Sequence, residues 1–196
     1  MKTELYQRYL AHRTAGRKRD ASDTIREFVA SCTGPQDRQE WVRQFLEDGG
    51  HEHRIRHEVY ESLVFPVLLD GYVRRDFWSI YWLAKTASSL YAASSLHAQL
   101  EYKAERQLFR EAFEIQPTGE VRRCLLEAYV AEFSYSQHEW PAGILYGTDG
   151  ATLEECKEIL RDIDFVRTLD DGSNEHFLKE YEERVHTYRE RLTRAA

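Results

Sequence analysis

Apolar residues recur at intervals of three and four along most of this chain, the pattern of helices with one buried face. Leu5, Tyr6, Tyr9 and Leu10 make a first stripe that ends near Gly16. Ile25, Phe28 and Val29 mark a second helix over 20–31, with Asp20 or Ser22 as its N-cap. Gly34-Pro35 opens a third, the proline standing where a missing N–H costs nothing. Trp41, Val42, Phe45 and Leu46 form its apolar face, and Gly49-Gly50 ends it.

The central region is the most regular. Ile55, Val59, Leu63 and Val67 are spaced by four, with Tyr60, Val64 and Leu68 beside them. Pro66 predicts a kink there or a detached last turn, and Asp70-Gly71 predicts the stop. Asp76 is expected to cap a helix holding Phe77, Trp78, Ile80, Tyr81, Leu83, Ala84, Ala87, Leu90 and Tyr91. Apolar on nearly every side, this should be the most buried helix. A further helix is expected over 96–115, ending at Pro117, and another over 118–135 with Val121, Cys124, Leu125, Ala128, Tyr129 and Ala131 inward. Residues 137–151 form the one long stretch that cannot be helical. Thr152 and Glu155 then make a capping box, launching a stripe of Leu153, Cys156, Leu160 and Ile163 that closes at Asp170-Asp171-Gly172. Leu178, Tyr181, Val185, Tyr188 and Leu192 give the last helix a narrow seam, for docking on the bundle or for pairing with a second copy as a homodimer.

These elements predict an all-α fold, an array of antiparallel helix hairpins with about nine helices. The 196 residues suit a single domain, divided into short helices (1–50), central hairpins (51–136), an apolar loop (137–151) and a terminal pair (152–196). Only 10 Gly and 4 Pro serve the whole length, too few for a sheet protein's turns. A shift of 44 residues brings Phe65 onto Phe109, Ala84 onto Ala128, Ala87 onto Ala131 and Tyr91 onto Tyr135, which raises an internal repeat as an expectation.

The segment from Leu108 to Pro117, followed by Leu125 and Ala128-Tyr129, resembles the junction between tetratricopeptide repeats. Phe109, Ala112 and Pro117 fall at that family's relative spacing. Glu105 stands where the family has a small residue, and the 34-residue repeat interval is not kept. The resemblance covers about a quarter of the chain and implies stacked helix hairpins that bind other proteins. It carries over no catalytic residues.

Charge changes the picture in two places. The net charge is −7, yet residues 1–20 hold six Lys/Arg against two acids, including Arg17-Lys18-Arg19. Read as the last turn of a helix, that run complements the helix dipole; its other reading is a contact with nucleic acid or an anionic surface. Residues 151–183 hold eleven Asp/Glu against four Lys/Arg, a solvated face or an acidic docking surface. The three cysteines, Cys32, Cys124 and Cys156, are too few and too far apart for a disulfide framework or a Cys-based zinc site. Met1-Lys2-Thr3-Glu4 lacks an apolar leader and no run reaches the length of a membrane span, so no membrane partner and a cytoplasmic location are expected.

Three clusters offer chemistry. His53, His57 and Glu61 are spaced by four on one helix face, where they would ligate a divalent metal; the plainer reading is a solvated helix start. The loop residues His138, Trp140 and Tyr146 would present anchors to a partner, or Trp140 and Ile144 would plug the end of the helices. His138-Glu139 is a weaker acid–base candidate, with no nucleophile identifiable beside it. Trp78 and Trp82, with Phe77 and Tyr81, would line a peptide groove or fill the core. There is no Gly-rich phosphate loop and no GxSxG. The expectation is therefore a non-enzymatic, protein- or peptide-binding domain without a cofactor, of a kind that a bacterial adaptor or immunity protein would use. The alternative is a metal-dependent enzyme built on His53, His57 and Glu61. Nucleic-acid binding is disfavoured by the overall acidity.

Overall fold

A computed structural model describes residues 3–50 and 55–195. Helices dominate it, and its only strands among the described residues are a two-residue pair, so the all-α class holds. The chain divides into two compact units, Met1–Gln116 and Pro117–Ala196. No helix among the described residues is long and apolar enough to cross a membrane.

The first unit opens with α1 (Thr3–Thr14) and α2 (Lys18–Ser31), which fold back on one another. Gly16, in the left-handed region at φ 70°, ends α1 while the Arg17 N–H bonds back to the His12 carbonyl at 2.9 Å. The chain re-enters a helix at once. Thus α2 starts at Lys18, ahead of the expected Asp20 or Ser22 cap, with Arg17 as its N-cap and no side-chain cap bond. Arg17-Lys18-Arg19 therefore opens a helix instead of closing one, and its charges oppose the dipole. In α3 (Pro35–Glu47), Trp41, Val42 and Leu46 are buried as expected. Trp41 stacks on Phe45 at 4.8 Å between ring centres and lies 5.0 Å from Phe28.

The central stripe forms α4 (His57–Val59), a π turn (Tyr60–Val64) and α5 (Phe65–Val73) in unbroken succession. Pro66 lacks an N–H and its ring crowds the preceding turn; one widened turn absorbs both, so the helix neither splits nor stops there. Nor does Asp70-Gly71 end it. The glycine is buried because α6 (Phe77–Lys85) packs against it, which is a requirement of space and not of termination. Asp76 caps α6, accepting from the Ser79 N–H at 3.0 Å, and every residue from Ser79 to Ala84 is buried. The helix breaks at Thr86, whose hydroxyl donates to the Trp82 carbonyl at 2.7 Å, before α7 (Ala87–Tyr91). The helix expected over 96–115 is also broken, into α8 (Ser94–His97), a 3-10 turn and α9 (Glu105–Ile115). Glu101 and Tyr102 between them adopt left-handed conformations, and His97 Nε2 meets the Lys103 carbonyl at 2.9 Å across the turn. Helix α9 packs on α6 through Leu108, Phe109 and Ala112, all buried.

The second unit holds α10 (Gly119–Ser136), capped by Thr118; a hairpin of β1 (Leu145–Tyr146) and β2 (Asp149–Gly150); α11 (Leu153–Leu169); and α12 (Glu175–Ala195). The Thr152–Glu155 capping box forms as expected. Arg122 reaches from α10 to the Leu169 carbonyl at 2.7 Å, placing a cation at the end of α11. The buried face of α11 is Cys156, Ile159, Ile163, Val166 and Leu169. Leu153 is exposed and Leu160 half-buried, because the face turns by one position from the expected stripe. Leu178, Tyr181 and Val185 of α12 are buried within the unit, Tyr181 stacking on Phe133 of α10 at 4.8 Å. The 44-residue shift does not carry burial with it: Ala84 and Ala87 are buried, whereas Ala128 is half-buried and Ala131 exposed.

Candidate functional site

The first unit holds a cleft of about 820 Å³ between α1, α2, the start of α4 and α7. Its floor is apolar and aromatic, from Tyr9, Ala21, Ile55 and Tyr60, all buried. Its lip is polar: Arg13 and Gly16 at the end of α1, Lys18 at the start of α2, and Arg56, His57 and Glu58 at the entrance to α4. The short α1–α2 turn brings Arg13 and Lys18 to the same rim.

Several other cations of the protein are neutralised locally. Arg26 faces Asp23, Arg43 faces Glu47, Arg74 faces Asp70 and Lys103 faces Glu111, and Arg56 holds Glu58 at 2.8 Å. Arg13, Arg17, Lys18 and Arg19 make no ion pair with any described residue, although all four are exposed. The two units also differ in charge. Residues 1–116 hold 17 Lys/Arg and 17 Asp/Glu, while residues 117–196 hold 10 and 17, so the whole net charge of −7 belongs to the second unit.

Ionisation along the cleft follows burial. Tyr60 is pushed up to about 12 by burial, against the opposing effect of its contact with the Thr86 hydroxyl, and stays a neutral phenol. Tyr6, which packs against Tyr9 on α1, is also raised to about 12 by burial, with Tyr9 adding to the shift and Arg13 working against it. For Glu58, burial acts upward, but its own backbone N–H and Arg56 together hold the carboxyl below the usual range. Tyr9 is 3% exposed and its hydroxyl is sealed from solvent without a hydrogen-bond partner among the described residues. Such a group forgoes about 1–3 kcal/mol.

The metal candidate is placed in part. His57 Nε2 and Glu61 Oε2 meet at 2.9 Å on the outer face of α4 and the π turn. His53 lies outside the described residues. Among the described residues no group of three or more His, Cys, Asp or Glu is gathered as a metal site. The aromatic row on α6 separates into two environments. Trp82 is buried at 7% exposure. Trp78 is half-buried, donating to Glu47 Oε1 at 3.0 Å, with the Arg43 guanidinium 4.2 Å above its ring.

In the second unit the 137–151 loop is tied down along its length. Ile144 is fully buried and is the plug. Trp140, half-buried, lies between the guanidinium groups of Arg184 and Arg191, at 5.8 and 5.0 Å from its ring centre, and Arg191 donates to the Pro141 carbonyl at 2.6 Å. The Tyr146 hydroxyl donates to Glu158 Oε2 at 2.8 Å. His138 and Glu139 are exposed beside it. The loop thus straps α11 and α12, and of its three anchor candidates Trp140 and Tyr146 are held by the chain's own residues while His138 is exposed.

The cleft was not among the sites expected from sequence. Its one visible sign there was the basic run after Gly16, which a helix-end reading had neutralised. No family model matches the chain, and no curated protein or solved structure is significantly similar to it.

Proposed function

We propose that this chain is a non-enzymatic binding domain that holds a segment of a partner protein in the α1–α2 cleft. The observation that carries the reading is the lip: two exposed cations, Arg13 and Lys18, with no carboxylate partner among the described residues, above an apolar, aromatic floor. That combination of an apolar floor with a few convergent polar groups is the usual make-up of a ligand site, and the volume lies in the usual range. The cleft's carboxylate and its histidine are each committed to a partner, Glu58 to Arg56 and His57 to Glu61, which favours binding over acid–base chemistry. The likeness to tetratricopeptide junctions at Phe109, Ala112 and Pro117 points the same way, toward a scaffold for other proteins.

Photo-crosslinking in cells tests this. A benzophenone side chain at position 22, on the cleft wall, should capture a defined protein that the same group at Val73, exposed elsewhere on the unit, does not. Equal capture from both positions, or none from position 22, would remove the cleft from the interface.

A further inference from the structure

We infer that the cleft recognises an anionic group, a phosphate or carboxylate, carried on an aromatic or apolar stem. The inference rests on the cleft being a binding site and adds the chemistry of what enters it.

Three observations converge. The α1–α2 turn concentrates Arg13, Arg17, Lys18 and Arg19, none of which has an ion-pair partner among the described residues. The N-terminal end of helix α2 lies at the same turn with no side chain capping it, so the dipole adds to the positive field. Natural sequences place acids at such a position, because cations there cost stability. Three cations at the start of α2, set against the single acid Asp20 in its first turn, are therefore a net cost borne by the fold. An anion arriving at the lip would relieve it.

The floor sets the second half of the specificity. Ala21, Ile55, Tyr9 and Tyr60 offer aliphatic and aromatic contact and no charge, since Tyr60 remains protonated at neutral pH. A bare inorganic anion would leave that floor wet, and a neutral aromatic would leave the lip unpaired. A nucleic-acid backbone fits less well, because the first unit has no net positive charge to hold a run of phosphates and the cations are gathered at one turn.

Phenyl phosphate, inorganic phosphate, benzyl alcohol, a Gly-Gly-phosphotyrosine-Gly-Gly peptide and a single-stranded 20-mer oligonucleotide, each titrated into the full chain by calorimetry, separate these cases. Phenyl phosphate should bind, inorganic phosphate and benzyl alcohol should bind far more weakly, and Arg13→Gln or Lys18→Gln should each weaken phenyl phosphate about tenfold. Both residues are exposed, so the fold is retained, and a circular dichroism spectrum verifies it. Ser22→Trp, which fills the cleft, should abolish binding. A phosphopeptide that binds more tightly than phenyl phosphate places the anion on a protein; equal affinity supports the anion site and overturns the protein-partner reading. The anion inference is overturned if phenyl phosphate does not bind, if the two charge variants bind it as the wild type does, or if the oligonucleotide binds more tightly. Loss of the position-22 crosslink with these titrations intact would sink only the protein-partner reading.

Discussion

A Cβ placed on Gly71 would lie 1.9 Å from the Oγ of Ser79, so α5 and α6 pack as they do because residue 71 has no side chain. Ser79 cannot readily move aside, since Asp76 Oδ2 accepts both its hydroxyl at 2.7 Å and its N–H at 3.0 Å. Gly71→Ala is expected to lower stability by about 1–3 kcal/mol or more in urea denaturation. Ser79→Gly in the same chain should restore part of that loss. An alanine at 71 tolerated without cost would mean that the two helices are not in this contact.

The strap over the second unit makes a different kind of prediction. Ile144→Ala removes a fully buried side chain and should cost about 2–5 kcal/mol. Trp140→Ala removes a larger group, yet one lying half-exposed between two guanidinium groups, and should cost only about 1–2 kcal/mol. Thermal unfolding of the two variants ranks them, and the reverse order would make Trp140 the plug.

Arg167 donates to Glu182 Oε2 at 2.7 Å, and this bond is the main reason that the Glu182 carboxyl sits below its usual range. A carboxyl whose folded value is depressed contributes stability that is present above its unfolded value, near 4.5, and is lost as pH falls through the folded value. Wild-type stability should therefore fall on acidification below about pH 4.5 more steeply than that of Arg167→Met. Relief of repulsion among the second unit's excess acids is shared by both proteins, so their difference reports what Arg167 contributes through Glu182 first and through Glu175 and Asp164 beside it. Parallel curves in acid urea titrations would show that the pair contributes nothing.

All three cysteines are free and buried, and burial pushes the Cys32 and Cys156 thiols upward. A disulfide-exchange reagent at neutral pH should react slowly with the native protein and release three equivalents once it is unfolded. A fast native equivalent would mark a thiol more open than the fold shows.

Where packing follows from one helix's own periodicity, it was legible in the sequence. The caps at Asp76 and Thr152, the buried run of α6 and the core of α3 all follow from local patterns. The misreadings arise where a residue answers to something distant in the chain. Gly71 looks like a stop because glycine commonly is one, but what it meets is Ser79 on the next helix. Pro66 looks like a break because only the backbone reveals that one π turn can accommodate it. Arg17-Lys18-Arg19 changes meaning with a shift of a few residues in one helix boundary, and the cleft was lost with it. The loop at 137–151 was visible as an anomaly. That Arg184, Arg191 and Glu158 hold it was not, since Glu158 is 12 positions beyond Tyr146 and both arginines lie on the last helix.

The turn between α1 and α2 has one more consequence, for proteolysis. Arg13, Arg17, Lys18 and Arg19 offer trypsin several exposed scissile positions within a few residues, at a place where the backbone leaves one helix and enters another. A molecule seated on that lip would cover them. Resistance to a brief tryptic digest at this turn would then register occupancy directly, and a screen of candidate ligands could be read from a gel.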